Sequence, residues 1–582
     1  MTPKQQASDA LGRMTLDEKI GQCLTQSWRG GLITPSLVET ITKLHCGGLR
    51  VEPFNTESAR AGYYGQGGRQ KGWRAPKGYF RVAETCFQAV YPGFWIPPEE
   101  YARRLNRVKE ISMNRPSGVP LHVTTDFEGD FSHDYPFGGI HMFPANMGIR
   151  AAGGPKLAYR VGNAVARQLA AIGIHMMHSP VCDVNVEPRN PEINIRAFSD
   201  DPEVFCKYAV QLMKGIEDGG VIATAKHFPG RGDSAVDAHD ELPILRAKRK
   251  RIDRVELAPY RALIRNGLRA VMSAHNAYSA LDPDEVPATV SRRILTDLLR
   301  GELGFDGVLT TDAMGMGAIV RRWGVPVASA MALKAGADLV LLKFDGELRS
   351  QTFFEIKRWV RRGDLTEAEL DEHCRRILEM KARQGLFKTG GQVSPSKAAR
   401  TVADEQIASL ERKVARDAVM VLRDRDGVLP LKKSRKVLVV EQMIRPDFLP
   451  NDLHYHGHSF NEAMLDHSLN LINADTSFRA TPQEHKEIVA LAREADAVVM
   501  TNYFWRVWPE NNTPLVRALA RGRTPLVVVT NNPYPMGATP QARAVVCTFS
   551  VTPESLRAAA AVLFGRRKPR GNWPLEHTPQ PV

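Results

Sequence analysis

Residues 226–243 read Lys226-His227-Phe228-Pro229-Gly230-Arg231-Gly232-Asp233-Ser234-Ala235-Val236-Asp237-Ala238-His239-Asp240-Glu241-Leu242-Pro243. A short β-branched and apolar run, Val221-Ile222-Ala223-Thr224-Ala225, leads into this stretch. The run ends in two cationic side chains, Lys226 and His227. A turn-rich breaker follows at 228–232. Two proton carriers, Asp237 and His239, then stand one residue apart. A strand that stops at polar residues and opens into a Gly/Pro loop is how an α/β barrel presents its chemistry.

Working outward, apolar runs at 46–51, 120–126, 173–183, 221–227, 270–275, 307–312 and 338–342 predict strands. Helical periodicity falls between them, as at 155–172, 201–218 and 254–266. Strands spaced by helices imply βαβ units and a parallel sheet. A TIM-type (β/α)8 barrel fits best, with its eighth strand unplaced; an open doubly wound sheet is the alternative. Residues 8–23 read as a single amphipathic helix. Residues 366–383 read as a long closing helix, because Thr366 and Glu369 have capping-box spacing.

The barrel domain is therefore expected over residues 1–388. A linker at 389–400 and a smaller α/β sandwich domain at 401–582 follow, with strands at 436–440, 496–501, 525–530 and 544–549. Between 52 and 97 the pattern breaks into a long insertion rich in Gly, aromatic and basic residues. Loops of that length in a compact domain are commonly functional, and aromatic content argues against disorder.

Composition sets the class. The 582 residues are 43% hydrophobic and 24% charged, enough for two or three domains. No apolar run approaches the roughly 18 residues of a membrane span, and the N-terminus lacks an apolar signal core. The seven cysteines are scattered without a C-x-x-C pair, which fits a cytoplasmic protein in a reducing compartment. The net charge of +14 is spread over many amphipathic segments, a solvated surface rather than a nucleic-acid interface.

Ionisable residues recur at the predicted strand ends: Asp126, Asp183, Lys226 with His227, His275 and Asp312. Their repetition points to a site at the barrel mouth. The Asp237-x-His239 pair could carry protons, bind a metal or form a surface hydrogen bond; no zinc-ligand spacing surrounds it, so neither metal nor cofactor is expected. In the second module, Asp452, His454, His456 and His458 alternate as on a strand face and read as a solvated loop.

The stretch 226–239 resembles the loop of the β-N-acetylglucosaminidase branch of glycoside hydrolase family 3. Asp126-Phe127-Glu128-Gly129, Asn190 to Arg196 with Phe198 to Pro202, Met272 to His275, Leu303 to Val308 and Thr311 to Met314 resemble further blocks of that family, in its order. Leu429-Pro430-Leu431 and residues 563–571 resemble its second domain. The resemblance implies a retaining exo-β-N-acetylglucosaminidase acting on a carbohydrate. Asp312 would be the nucleophile and His239 the proton carrier, with Asp237 holding its ring. Asp126, Arg196, Lys226 and His227 would bind substrate.

A phosphorylase of the same branch, a β-glucosidase-type enzyme with its acid from the second module, and an inactive carbohydrate-binding protein are the competing readings. Three departures stand out: Arg231 where the pattern has His, Ala238 where it has Ser, and Asp130-Phe131 where it has Gly-Arg. The insertion would build a subsite beyond the cleaved bond. The glycine-containing loop suggests a gate that delivers His239 when substrate binds.

Overall fold

The computed structural model describes residues 1–29, 31–52, 96–130, 139–343, 346–443, 458–504, 512–535 and 537–581. The insertion at 52–97 and the 452–456 part of the histidine cluster therefore lie almost wholly outside the described residues. Eight parallel strands close a barrel: β1 (Leu24–Arg29), β2 (Gly48–Glu52), β3 (His122–Thr125), β4 (Met176–Met177), β5 (Ile222–Phe228), β6 (Ala270–Ser273), β7 (Val308–Ala313) and β8 (Leu339–Leu342). Each pairs with its sequence neighbour, and β8 pairs back onto β1. Strands β3 to β6 are buried along their whole length, as a parallel sheet wrapped in helices requires.

The strand left unplaced is β1. Its sequence, Leu-Thr-Gln-Ser-Trp-Arg, reads as polar, yet Thr25, Gln26 and Ser27 are buried in the barrel. The helix expected over 8–23 is two helices, Pro3–Gly12 and Leu16–Gln22. Thr15 breaks it. The Thr15 hydroxyl accepts from the Glu18 N–H, and the Glu18 carboxylate accepts from the Thr15 N–H. The same box starts the helix Glu367–Arg383 at Thr366.

The stretch 389–400 is not extended. Ser394 caps a helix, Pro395–Val402, which packs on the barrel helices Pro98–Met113 and Pro155–Ile172. Asn106 fastens it by exchanging hydrogen bonds with both backbone groups of Val393.

The second domain is a six-stranded sheet: β9 (Met420–Asp424), β10 (Val437–Gln442), β11 (Leu471–Thr476), β12 (Ala497–Thr501), β13 (Leu526–Thr530) and β14 (Ala544–Cys547), in the order β9-β14-β13-β12-β10-β11. Only the β9–β14 pair is antiparallel. Strands β9 and β11 escaped the sequence reading. β9 continues a helical run without a turn signal, and β11 is a half-exposed edge strand of mixed polarity.

One face of this sheet packs on its own helices. The other shares a core with Ala145, Met147, Ala151 and Ile195 of the barrel. Polar contacts cross the same boundary. Asp130 accepts from the Val551 N–H at 2.7 Å and from the Asn531 amide at 3.1 Å. Asn532 donates to Asn194, and Asn185 donates to the Tyr534 hydroxyl.

Replacing Asp130 with Ala strands two buried donors, so a loss of about 1–3 kcal/mol in chemical denaturation is expected. An unchanged denaturation midpoint would show that the interface does not depend on it.

Candidate active site

The ionisable residues gather at the C-terminal ends of the strands, on three connected levels. The first lies after β3. Asp126 accepts from Lys226 Nζ and from His178, both at 3.0 Å, and pairs with Arg50. Lys226 also pairs with Glu128, and Arg196 grips Glu128 through Nε and Nη2 at 2.6 and 3.0 Å. Burial alone would raise the Asp126 pKa, but Arg50, Lys226 and His178 hold it well below the ordinary carboxylate range. Burial likewise opposes ionisation of Glu128, and Arg196 and Lys226 overcome it.

Arg196 commits three of its five donors inside the protein, the third to the Glu192 carbonyl at 2.8 Å. Asp126 is the one of this set that reaches solvent, with a fifth of its side chain exposed.

The second level surrounds Asp312. Its Oδ1 accepts from the Ala313 N–H at 2.7 Å, and Oδ2 lies 3.7 Å from His227 Nε2 and 3.8 Å from Arg231 Nη1. Arg231 Nη2 can only donate, so His227 Nε2 accepts it at 2.9 Å. The ring proton therefore sits on Nδ1, bonded to Asp183 at 2.7 Å. Burial and then the Arg231 charge drive the His227 pKa well down, so this ring is neutral. Burial pushes Asp183 up to about 7 against the pull of Arg231.

His275 donates from Nε2 to the Ala313 carbonyl at 3.0 Å and so fixes the strand end beside Asp312. Burial would raise the Asp312 pKa; Arg231, His275 and the Ala313 N–H bring it below the usual value. Asp312 is thus an ionised carboxylate with part of its surface open.

The third level is the Asp237–His239 pair. Asp237 Oδ1 accepts from the His239 backbone N–H and from its Nδ1, both at 2.7 Å. Burial would lower the His239 pKa, but the charges of Asp237 and Glu192 outweigh it and push it up to about 10.

The loop for which the sequence suggests a gate makes two backbone hydrogen bonds to the segment after Asp312. Gly317 N–H donates to the His239 carbonyl and Ala318 N–H to that of Ala238. A side chain at 317 would come within 2.5 Å of the His239 oxygen, which explains the glycine. Ala238 packs on Ala313 and Met316. Gly232 is constrained likewise, since a Cβ there would meet the Val184 carbonyl at 1.8 Å.

The structure thus joins all seven predicted site residues into one mouth and adds Glu128, Asp183, Glu192 and Arg231. Asp183 carried a signal, as a strand-end acid. Glu128 and Glu192 stood inside recognisable blocks without a role, and Arg231 was legible only as a departure. One ligand atom each of Glu192, Asp237 and His239 lies within 4.8 Å of the others, a donor set that could hold a cation. The Arg231 guanidinium, 3.1 Å from Glu192, opposes one there, and the 2.7 Å contacts suit a proton-bound dyad.

Residues 95–380 match the model of the glycosyl hydrolase family 3 N terminal domain, and residues 419–580 that of the family 3 C-terminal domain. The chain belongs to glycosyl hydrolase family 3. Its two domains follow the architecture of a family 3 β-N-acetylglucosaminidase from Paenibacillus sp. str. FPU-7, with a TM-score of 0.82, 28% identity, and coverage of 97% of this chain and 99% of that one.

Beta-hexosaminidase A of Pseudoalteromonas piscicida is 31% identical over 59% of each chain. The present chain therefore spans somewhat over half the length of that relative. A β-N-acetylglucosaminidase/β-glucosidase of Cellulomonas fimi is 27% identical over 79% of this chain and 84% of its own.

If Asp312 acts as the ionised partner and His239 as the proton donor, the pH–rate plateau is expected to extend upward to about 10, set by His239. Asp237→Asn removes one negative partner, so His239 loses its proton at lower pH. The basic limb of kcat/KM should then move down by about 1 unit or more; an unmoved limb would contradict the dyad.

Proposed function

We propose that this chain is a retaining exo-β-N-acetylglucosaminidase, hydrolysing terminal N-acetyl-β-D-glucosaminides through a covalent glycosyl-enzyme intermediate. One observation carries the reading: an ionised carboxylate, Asp312, and a histidine–aspartate dyad are held in one barrel mouth, the dyad's loop hydrogen-bonded to the segment that follows Asp312. The kinship with chains named β-hexosaminidase and β-N-acetylglucosaminidase supports it.

In the first step an Asp312 oxygen attacks the anomeric carbon while the bond to the leaving oxygen breaks. His239, its Nδ1 occupied by Asp237, gives the Nε2 proton to that oxygen. In the second step neutral His239 takes a proton from water, whose oxygen attacks the anomeric carbon and releases Asp312. Asp126, Arg196, Lys226 and His227 bind the sugar in this reading. Asp126 is the exposed acceptor for its hydroxyls, Lys226 and Arg196 hold remaining donors behind it, and both ring nitrogens of His227 are engaged by Asp183 and Arg231.

The substrate class is an N-acetylglucosamine-containing glycan or cell-wall fragment. A cytoplasmic site is our reading of the cysteines, six of which are described and free. Among the described residues no helix is long and apolar enough to cross a membrane.

An aryl β-N-acetylglucosaminide assay tests the reading. Asp312→Ala should lose on the order of 10⁴-fold or more in kcat, and His239→Ala about 10²–10⁴-fold. Full activity in both variants would sink it. Phosphate-dependent release of a sugar phosphate would instead favour phosphorolysis, and faster turnover of an aryl β-glucoside a β-glucosidase.

A further inference from the structure

Glu192 stands in the loop after β4 and approaches the same ring nitrogen of His239 that Asp237 holds. Its Oε1 is 3.3 Å from His239 Nδ1, and its Oε2 accepts from the Ala238 N–H at 3.2 Å. The same Oε1 is 3.1 Å from Arg231 Nη1, which in turn lies 3.8 Å from Asp312. All four residues are buried or nearly so.

Arg231 Nε and Nη1 make no hydrogen bond among the described residues, and neither does Glu192 Oε1. The contacts from Arg231 to Glu192 and to Asp312 are therefore ionic rather than directional, and one guanidinium is shared between two carboxylates. Such a shared charge responds to either of them.

We propose that Glu192 and Arg231 are positioning residues that couple the proton on His239 to the charge on Asp312, an inference that rests on the retaining mechanism above. As Asp312 forms its ester bond, its negative charge disappears. Arg231 then keeps Glu192 as its main counter-charge, with Asp183 and Asp237 further partners. The positive potential felt by the imidazolium rises, and the His239 proton is released to the leaving oxygen as the sugar bond breaks.

The coupling also answers a difficulty. A histidine between two carboxylates holds its proton tightly, up to about 10, and is a poor acid until something loosens it. Among the described residues, the titratable and charged groups facing His239 include Asp237 on its own loop, Glu192 from the loop after β4 and His275 from the end of β6, with Arg231 from the loop after β5 behind Glu192.

The test compares pH profiles of kcat/KM and kcat for wild type, Glu192→Gln, Arg231→Met and Asp237→Asn on an aryl β-N-acetylglucosaminide. Glu192→Gln should move the basic limb down by about 1 pH unit with KM little changed. Arg231→Met should move the acidic limb up, because Asp312 loses its nearest cation. In Glu192→Asp the limb should return toward wild type.

A basic limb that moves in Asp237→Asn but not in Glu192→Gln overturns the coupling and leaves the proposed function standing. Full activity of His239→Ala removes both. Wild-type activity that is lost on dialysis against EDTA and restored by zinc would make Glu192 a metal ligand and also overturn the coupling. If Glu192→Gln fails to fold, Arg231→Lys keeps the charge but shortens the bridge, and both limbs unmoved in that variant would be equally decisive.

Discussion

The mouth of this barrel must keep several charges ionised where there is little water to stabilise them. Each ion withdrawn from water costs several kcal/mol unless a partner compensates it closely. The structure answers with interleaved pairs. Lys226 bridges Asp126 and Glu128, Arg196 clamps Glu128, and Arg231 serves Glu192 and Asp312 together. Each cation touches at least one acid from another strand end or loop, so the site is assembled by the closure of the barrel. The same pairing keeps the Asp312 carboxylate ionised and the His227 ring neutral.

How far this was legible in the sequence follows from where each residue's partners lie. β5 and β7 were readable because apolar runs end in Lys226-His227 and Asp312, and local pattern is enough for that. β1 was not, because Thr25, Gln26 and Ser27 are buried and polar partners come from distant strands, as when the Ser27 hydroxyl donates to the Leu342 carbonyl. Thr15 and Glu18 did carry a capping-box signal, but the apolar spacing across 8–23 concealed the break. Among site residues, Asp237 and His239 declare themselves by adjacency. Glu192 and Arg231 are 39 positions apart, and only the fold shows that the odd arginine has a glutamate waiting for it.

The second domain contributes no side chain to the contacts of Asp312 and His239 described above, yet it bounds them. Asn185 and Asn194, from the loop that carries Glu192 and Arg196, are tied to Tyr534 and Asn532. Asn146 holds the Arg196 carbonyl from a helix whose apolar face shares its core with the second sheet. The loops of the mouth are thus walled on one side by a separate sheet, which makes their geometry a property of the whole chain.

That wall gives the order of synthesis a meaning. The barrel strands leave the ribosome first, but Asp130, Asn185 and Asn194 find their partners only when residues 531–551 emerge. A chain stopped before that point carries every residue of the mouth and lacks the contacts that shape its loops. The finished set of contacts around the mouth is therefore available only to a chain that includes the C-terminal sheet.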